Sequence, residues 1–271
     1  MRSVSSILLP VDFSERSAPA ARYARSIASQ FESQLILLHV LPPLHLEFGA
    51  ADVSGYMVTE LCENRVQQAN QELASFLPAE FADDASVERL VLEGDPARCI
   101  VETAHERAGV ILMPTHGYGP FRRFILGSVT AKVLHDADCP VWTGVHLENA
   151  PMATVPLRRI VCAVDLRPQS SKALCWAASL ALQFGAQLTL LHVTLGAPDA
   201  AREELEKLRS FVHAEAELRV IAGDPPAAIC AAAQGSDLLT IGRGSAAGVF
   251  GRLRANAYSI IRQSPCPVVS I

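Results

Sequence analysis

The chain has 271 residues, of which half are hydrophobic and 19% are charged, and its formal net charge is −5. This length and composition favour two globular domains, each able to bury a core, and exclude a disordered chain. No apolar run approaches the ~18 residues of a membrane span, and the N-terminal run is too short for a signal peptide. We therefore expect a cytoplasmic protein.

Charges and metal-binding side chains exclude further classes. Residues 1–146 carry 11 basic and 18 acidic side chains, and the rest carries 12 and 10, so neither half has the basic excess that nucleic-acid backbones require. The seven cysteines form no C-x-x-C pair, and the eight histidines show no metal-ligand spacing. We expect reduced thiols, no structural metal and no nucleic-acid partner.

The first half alternates short apolar runs with helical patterns. Buried strands are predicted over residues 5–12, 34–41, 86–92 and 109–115, with a last one after Cys139-Pro140. Helices are predicted over residues 15–28 with Ser14 as cap, over 58–76, from Gly94-Asp95-Pro96 with Asp95 as cap, and from Gly127-Ser128. This alternation predicts a parallel, doubly wound α/β sheet, with ligands beyond the carboxyl ends of its strands.

The second half repeats the first. R-I-V-C-A-V-D matches S-I-L-L-P-V-D and Q-L-T-L-L-H-V matches Q-L-I-L-L-H-V, so that Asp165 follows Asp12 and His192 follows His39 at one offset of 153 residues. G-D-P and C-P recur as well. The aperiodic, proline-containing residues 147–157 are predicted to be a linker between domains 1–146 and 158–271. Both shared histidines lie in apolar strands, where a hydrogen-bonded structural role is favoured over catalysis.

The stretch from Met113 to Val129 is the candidate ligand loop. It contains glycines at 117 and 119 and ends in Gly127-Ser128, which opens a helix whose first amides have no partner within the helix. Such amides and the helix dipole attract phosphate. An ordinary N-terminal cap is the alternative, and these residues alone favour it.

Together these landmarks resemble the universal stress protein family in a tandem two-domain form. The residues that carry the resemblance are V-D after the first strand, L-L-H-V in the second, G-D-P, T-H-G followed by G-S, and C-P-V before the last strand. The resemblance implies Rossmann-like domains of five parallel strands, with a nucleotide at the point where the strand order reverses. It implies no catalytic residue.

The resemblance also implies a site in the first domain. ATP-binding members carry G-x2-G-x9-G-[S/T], and this chain has Pro114-x2-Gly117-x9-Gly127-Ser128, with proline in place of the first glycine. Proline removes an N–H donor, so a backbone contact there is lost. The candidate nucleotide-binding residues are Pro10, Asp12, Val40, Met113, Gly117, Gly127, Ser128 and Val129. For Asp12, a carboxylate that bonds only its own turn is the alternative.

The second domain has lost the phosphate cradle. With Gly244 aligned to Gly117, Arg254-Ala255 replace Gly127-Ser128. Gly242-x-Gly244-x2-Ala247 fits a dinucleotide fingerprint, but it lies late in its domain, and no acidic residue follows Asp237 to bind a ribose. A dehydrogenase is therefore rejected.

Three functions remain open. The first is a stress-response regulator that binds one ATP or ADP, with Mg²⁺ on the phosphates, in the first domain. The second is a nucleotide-free scaffold, and the third and least favoured is a weak ATPase, since no catalytic arrangement is visible.

We expect the strands after Cys139-Pro140 and Cys266-Pro267 to pair about a pseudo-two-fold axis, because they would otherwise be open apolar edges. The same edges suggest a homodimer.

Overall fold

A computed structural model of the chain describes residues 4–44, 55–77, 81, 85–115, 126–144, 157–243 and 251–271, except for the side chains of 55–57 and 251–255. The described residues form ten strands and eight helices. The strands are β1 Ser6–Pro10, β2 Gln34–Leu41, β3 Val87–Glu93, β4 Val110–Met113, β5 Val141–Thr143, β6 Arg159–Val164, β7 Gln187–Thr194, β8 Glu217–Ala222, β9 Leu238–Ile241 and β10 Val268–Ser270. The helices are α1 Ser17–Phe31, α2 Gly55–Ala74, α3 Pro96–Arg107, α4 Ser128–Asp136, α5 Ser170–Phe184, α6 Pro198–Val212, α7 Pro225–Ala232 and α8 Gly251–Gln263.

The strands form one continuous sheet in the order β3-β2-β1-β4-β5-β10-β9-β6-β7-β8. Every neighbouring pair is parallel except β5 and β10, which are antiparallel. Each half therefore supplies five parallel strands, as the doubly wound α/β fold requires. The strand order reverses between β1 and β4 in the first domain and between β6 and β9 in the second, which creates two switch points.

The predicted pairing of the strands that follow the two Cys-Pro pairs is confirmed. Trp142 in β5 lies opposite Val269 in β10. These two positions are equivalent in the repeat, because each is the third residue after the cysteine of its Cys-Pro pair. The pseudo-two-fold axis therefore passes between them. Since β5 is flanked by β4 and β10, and β10 by β9 and β5, neither strand has a side left for a second chain.

One hydrophobic core crosses this junction. Trp142, 1% exposed, lies between Tyr23 of α1 and Trp176 of α5, with both ring-centroid distances at 6.2 Å. On the other face of the sheet, Val133 and Leu134 of α4 belong to the same buried cluster as Ile260 of α8. Apolar burial on both faces explains why the central strands consist mainly of hydrophobic residues. The two domains pack as one body.

The repeat extends to individual hydrogen bonds. His39 Nδ1 lies 2.8 Å from the Val11 carbonyl oxygen, and His192 Nδ1 lies 2.8 Å from that of Val164. A carbonyl oxygen only accepts, so in both rings Nδ1 carries the proton. The structure thus gives both histidines the hydrogen-bonded strand position expected from the sequence.

The predicted helix caps have different outcomes. Asp95 caps α3 by accepting a hydrogen bond from the Arg98 amide at 2.9 Å, as predicted. Ser14 does not cap α1: the helix begins at Ser17, with Arg16 as N-cap and no side-chain cap bond. The Asp12 carboxylate bonds the Ser14 amide and the Ser17 hydroxyl, so the turn after β1 delays the helix. Of the predicted linker 147–157, only Leu157 is described, and it is buried.

Candidate functional site

The first-domain switch point brings three predicted site residues to one edge of the sheet. Asp12 lies two residues beyond β1 and is exposed, whereas Met113 ends the adjacent β4 and is buried. The third, Gly127, is the N-cap that immediately precedes α4. Because parallel neighbours end at the same edge, the crevice beyond β1 and β4 is the place where this fold accepts a ligand.

Asp12 bonds its own turn. Its Oδ1 accepts hydrogen bonds from the Ser14 amide at 3.0 Å and from the Ser17 hydroxyl at 2.7 Å. Asp165 has the same arrangement, with the Arg167 amide at 3.1 Å and the Ser170 hydroxyl at 2.9 Å. The local structural role that was the alternative for Asp12 is therefore present. These hydrogen bonds hold the Asp12 carboxylate at the mouth of the crevice, where the residue is exposed. A ligand role for Asp12 remains a prediction.

The start of α4 is fixed directly on the end of β4. The Gly127 amide donates to the Thr115 carbonyl at 2.9 Å, and the Thr130 hydroxyl donates to the Pro114 carbonyl at 3.3 Å. Because the N-cap is a glycine, it has no side chain to bond the first-turn amides. Ser128 is exposed beside them. These features suit an anion held by backbone N–H groups.

Gly127 does not occupy a glycine-only conformation. Its backbone angles are φ −58° and ψ 144°, which any residue adopts. The turn itself therefore does not require glycine. What remains is steric: a side chain at this N-cap would stand where an anion approaches the amides.

Sequence reasoning missed the contact between α4 and the cap of α3. Lys132 Nζ lies 3.0 Å from Asp95 Oδ1. Hydrogen bonds from the Arg98 amide and then from Lys132 lower the pKa of the Asp95 carboxyl below its ordinary value. The ion pair holds the second turn of α4 against α3, and because its partners are 37 positions apart it has no local sequence signal.

The other predicted site residues are distributed along the same edge. Pro10 ends β1 and is partly buried, while Val40, near the end of β2, and Val129, in the first turn of α4, are partly buried as well. Gly117 lies outside the described residues. The structure thus brings Pro10, Asp12, Met113 and Gly127 to the crevice edge, with Val40 one strand away.

Strand register reveals a difference between the domains that a motif search alone misses. Ile7 pairs with Val110 and the equivalent Ile160 pairs with Leu238, so Gly242 is the equivalent of Pro114. The first domain therefore keeps Gly-Ser at the helix start and lacks glycine at the strand end. The second keeps the strand-end glycine and lacks Gly-Ser.

The described residues contain neither a metal-binding cluster nor a membrane-spanning helix. Within the ranges given above, no three His, Cys, Asp or Glu side chains are arranged to hold a metal ion. Among the helices of the same ranges, none is long and apolar enough to cross a bilayer. All seven cysteines are described, and each is a free thiol.

Comparison with known proteins decides the family. The model of the universal stress protein family matches residues 4–143 and again residues 156–271. The chain belongs to the universal stress protein family. Its two matches coincide with the two halves of the sheet, so this member has the tandem two-domain form.

Similar proteins agree with that assignment. A universal stress protein of Methanocaldococcus jannaschii is 32% identical over half of this chain and 78% of its own length. A universal stress protein of Mycolicibacterium smegmatis is 28% identical, and the match spans 71% of this chain and 65% of that protein, just under two thirds of its length. The crystal structure of a universal stress protein from Archaeoglobus fulgidus has a TM-score of 0.71, with 24% identity, 98% of this chain covered and 95% of that chain covered. That structure shares the fold across both domains.

Proposed function

We propose that the protein is a stress-response regulator that binds ATP or ADP in its first domain. The observation that carries the proposal is the convergence of Asp12, Met113 and the Gly127 N-cap at the crevice between β1 and β4. A buried apolar floor suits a base, the Asp12 carboxylate suits a sugar hydroxyl, and the open first turn of α4 suits phosphate. Mg²⁺ would accompany the phosphates, since their charge exceeds what one helix terminus offsets.

Retention of nucleotide through purification and the stoichiometry of ATP binding test this function. Protein purified without added nucleotide is heated, and the released fraction is identified by its absorbance and by chromatography. Titration of the full chain with ATP and Mg²⁺ by calorimetry should then saturate at about one equivalent, because only the first domain has the Gly-Ser helix start.

Variants at two glycines sharpen the test. Gly127→Val should abolish ATP binding without lowering the melting temperature, because φ −58° suits valine. Gly109→Ala is the control: its new Cβ would lie 3.6 Å from the Ser6 carbonyl oxygen, an ordinary contact at the opposite edge of the sheet. Saturation near two equivalents, or binding that survives at Gly127→Val, would contradict the first-domain site.

A nucleotide-free scaffold is the second candidate, and Pro114 favours it. This residue follows β4 directly and has no N–H to offer a ligand, while its carbonyl accepts from the Thr130 hydroxyl. In that case the purified protein would carry no nucleotide and ATP would produce no heat. Pro114→Gly should then create or strengthen ATP binding.

A further inference from the structure

A wide groove runs along the edge of the second domain where its strands begin. It has a volume of about 1140 Å³, and its lining includes the second half of α5 and the connection from α6 to β8. Leu182, in the last turn of α5, lines the groove and is 86% exposed. Phe211, in the last turn of α6, is 76% exposed. The two helices contact each other, so their ends present both large apolar side chains beside the groove.

The helix that borders the groove differs from its counterpart in the first domain. Three apolar residues of α5 line the groove, whereas their equivalents in α1, at the offset of 153 residues, are two arginines and a serine. The equivalent pairs are Cys175 and Arg22, Ala178 and Arg25, and Leu182 and Ser29. Their spacing of three and four positions places them on one side of each helix. We call the three residues of α5 the apolar stripe.

In the first domain an aromatic side chain packs at this place. Phe81 is completely buried, and the guanidinium carbon of Arg25 lies 5.3 Å from the centroid of its ring. Phe81 belongs to the connection between α2 and β3, which runs from residue 75 to residue 86. The corresponding connection in the second domain is 213–216, which is described in full and contains no phenylalanine. The second domain therefore lacks the aromatic ring that Phe81 places beside α1.

The charges around the groove are compatible with an identical surface. The lining contains equal numbers of arginines and glutamates, namely Arg159, Arg219, Glu215 and Glu217. On α6, Lys207 Nζ lies 2.6 Å from Glu204 Oε1, and Arg209 pairs with Glu206. Like charges brought together at an interface oppose association. Because the charges here are balanced, two copies of this surface would not repel each other.

We propose that the chain forms a two-fold dimer through this surface, with the apolar stripe and Phe211 of one copy against the same residues of the other. A two-fold interface needs a surface that complements itself, and this one combines a groove with an exposed aromatic ring next to Val212 of its lining. Phe211 of one copy would pack beside α5 of the other, as Phe81 packs beside α1. The interface differs from the one expected at the sheet edges, since β5 and β10 are already paired.

The mass of the full chain in solution tests the dimer. Sedimentation from about 1 μM to about 1 mM should show the mass rising to twice the 29.1 kDa of one chain. A chain that stays monomeric over this range would overturn the proposal. If that monomer bound a synthetic peptide of residues 75–86, the groove would instead fit an aromatic segment of another protein.

Side chains borrowed from the first domain provide the variants. Ala178→Arg and Leu182→Ser introduce what α1 carries at the equivalent positions, so the helix should tolerate both, which circular dichroism checks. Each of these, and Phe211→Ser, should raise the dimer Kd about tenfold or more. Leu195→Ser is the control and should leave the Kd unchanged, because Leu195 is 89% exposed but follows β7 at the other edge of the domain. Association unaffected by the first three variants, or lost in the control, would place the interface elsewhere.

Discussion

Gly94 and Gly223, which precede the two aspartate caps, have backbones that disfavour any side chain. Their φ angles are +152° and +142°. Alanine at either position carries strain of order 1–3 kcal/mol. The environments differ, because a Cβ at Gly94 would lie 2.7 Å from Cys99 Sγ, whereas one at Gly223 would lie 4.0 Å from Ala228 Cβ.

Gly94→Ala should therefore destabilise the protein more than Gly223→Ala. The excess should be about 1 kcal/mol, since Cys99 must leave its rotamer. Urea unfolding measures both variants, and Cys99→Ala in the Gly94→Ala background should remove the excess. Equal losses at the two glycines would show that the sulfur contact has no energetic effect.

At the residue scale, the sequence predicts which residues have a role better than it predicts the conformation they adopt. Asp95 was assigned as a cap because Asp-Pro at a helix start has a local signature, and the bond is present. Ser14 was misassigned because Asp12, two residues earlier, competes for the same turn. For Gly127 the sequence does not say why glycine is present, since close approach of a ligand and an unusual φ both select glycine, and only the structure shows that φ is ordinary.

At the element scale, the Asp95–Lys132 pair links the helix that begins after G-D-P to the helix of the proposed phosphate site. Lys132 is in the second turn of α4, so its contact with Asp95 helps to set the position of the first turn. Both side chains are about half exposed, which limits the energetic value of the pair. For ligand binding, the pair matters because it helps to position the first turn of α4.

Asp95→Asn should make this contribution visible through its pH dependence. The folded-state pKa of Asp95 is lowered, so its stabilisation is present above the unfolded-state pKa and is lost as the pH falls through the folded-state value. The stability difference between wild type and variant should thus be present at neutral pH and shrink below about pH 4. Urea unfolding across this range measures it.

Asp224→Asn is the matched control for that experiment. Asp224 caps α7 through the Ala227 amide at 3.3 Å, so its replacement changes a cap and leaves the Lys132 ion pair intact. A wild-type advantage over Asp95→Asn that stays constant down to pH 3 would mean that the Asp95 charge contributes nothing.

Elements were predictable where their signals are local. β2 has the predicted limits of 34 and 41, and the other predicted strands of the first domain lie within two residues of their predicted ends. The β5–β10 pairing followed from two apolar edges, which is a physical necessity and not a motif. The equivalence of Gly242 and Pro114 required strand register, so it was not accessible from sequence.

At the scale of the whole molecule, Trp142 joins the halves. It is buried between rings from α1 and α5, one from each domain, beside the antiparallel junction of the sheet. A core shared in this way predicts that both domains unfold together. Circular dichroism and tryptophan fluorescence should give coincident urea transitions for the wild type.

Trp142→Ala should lower the free energy of unfolding by about 3–5 kcal/mol, the usual cost of removing a large buried aromatic. Leu182→Ala is the control, because Leu182 is 86% exposed and should change stability by less than about 0.5 kcal/mol. Two separated transitions in the wild type, or a small effect of Trp142→Ala, would show that the domains are energetically independent.

The pseudo-two-fold axis has a consequence for how the halves recognise each other. Trp142 lies opposite its own equivalent, Val269, and the Tyr258 hydroxyl donates to the carbonyl of its own equivalent, Ala131, at 3.2 Å. Large residues from one copy thus meet small residues from the other. In a symmetric pair of identical halves each position would face itself, so two tryptophans would crowd together in one pairing and two valines would leave a gap in the other. Because the two halves are covalently linked, their contact faces can differ. Each half is therefore complementary to the other half and not to a copy of itself.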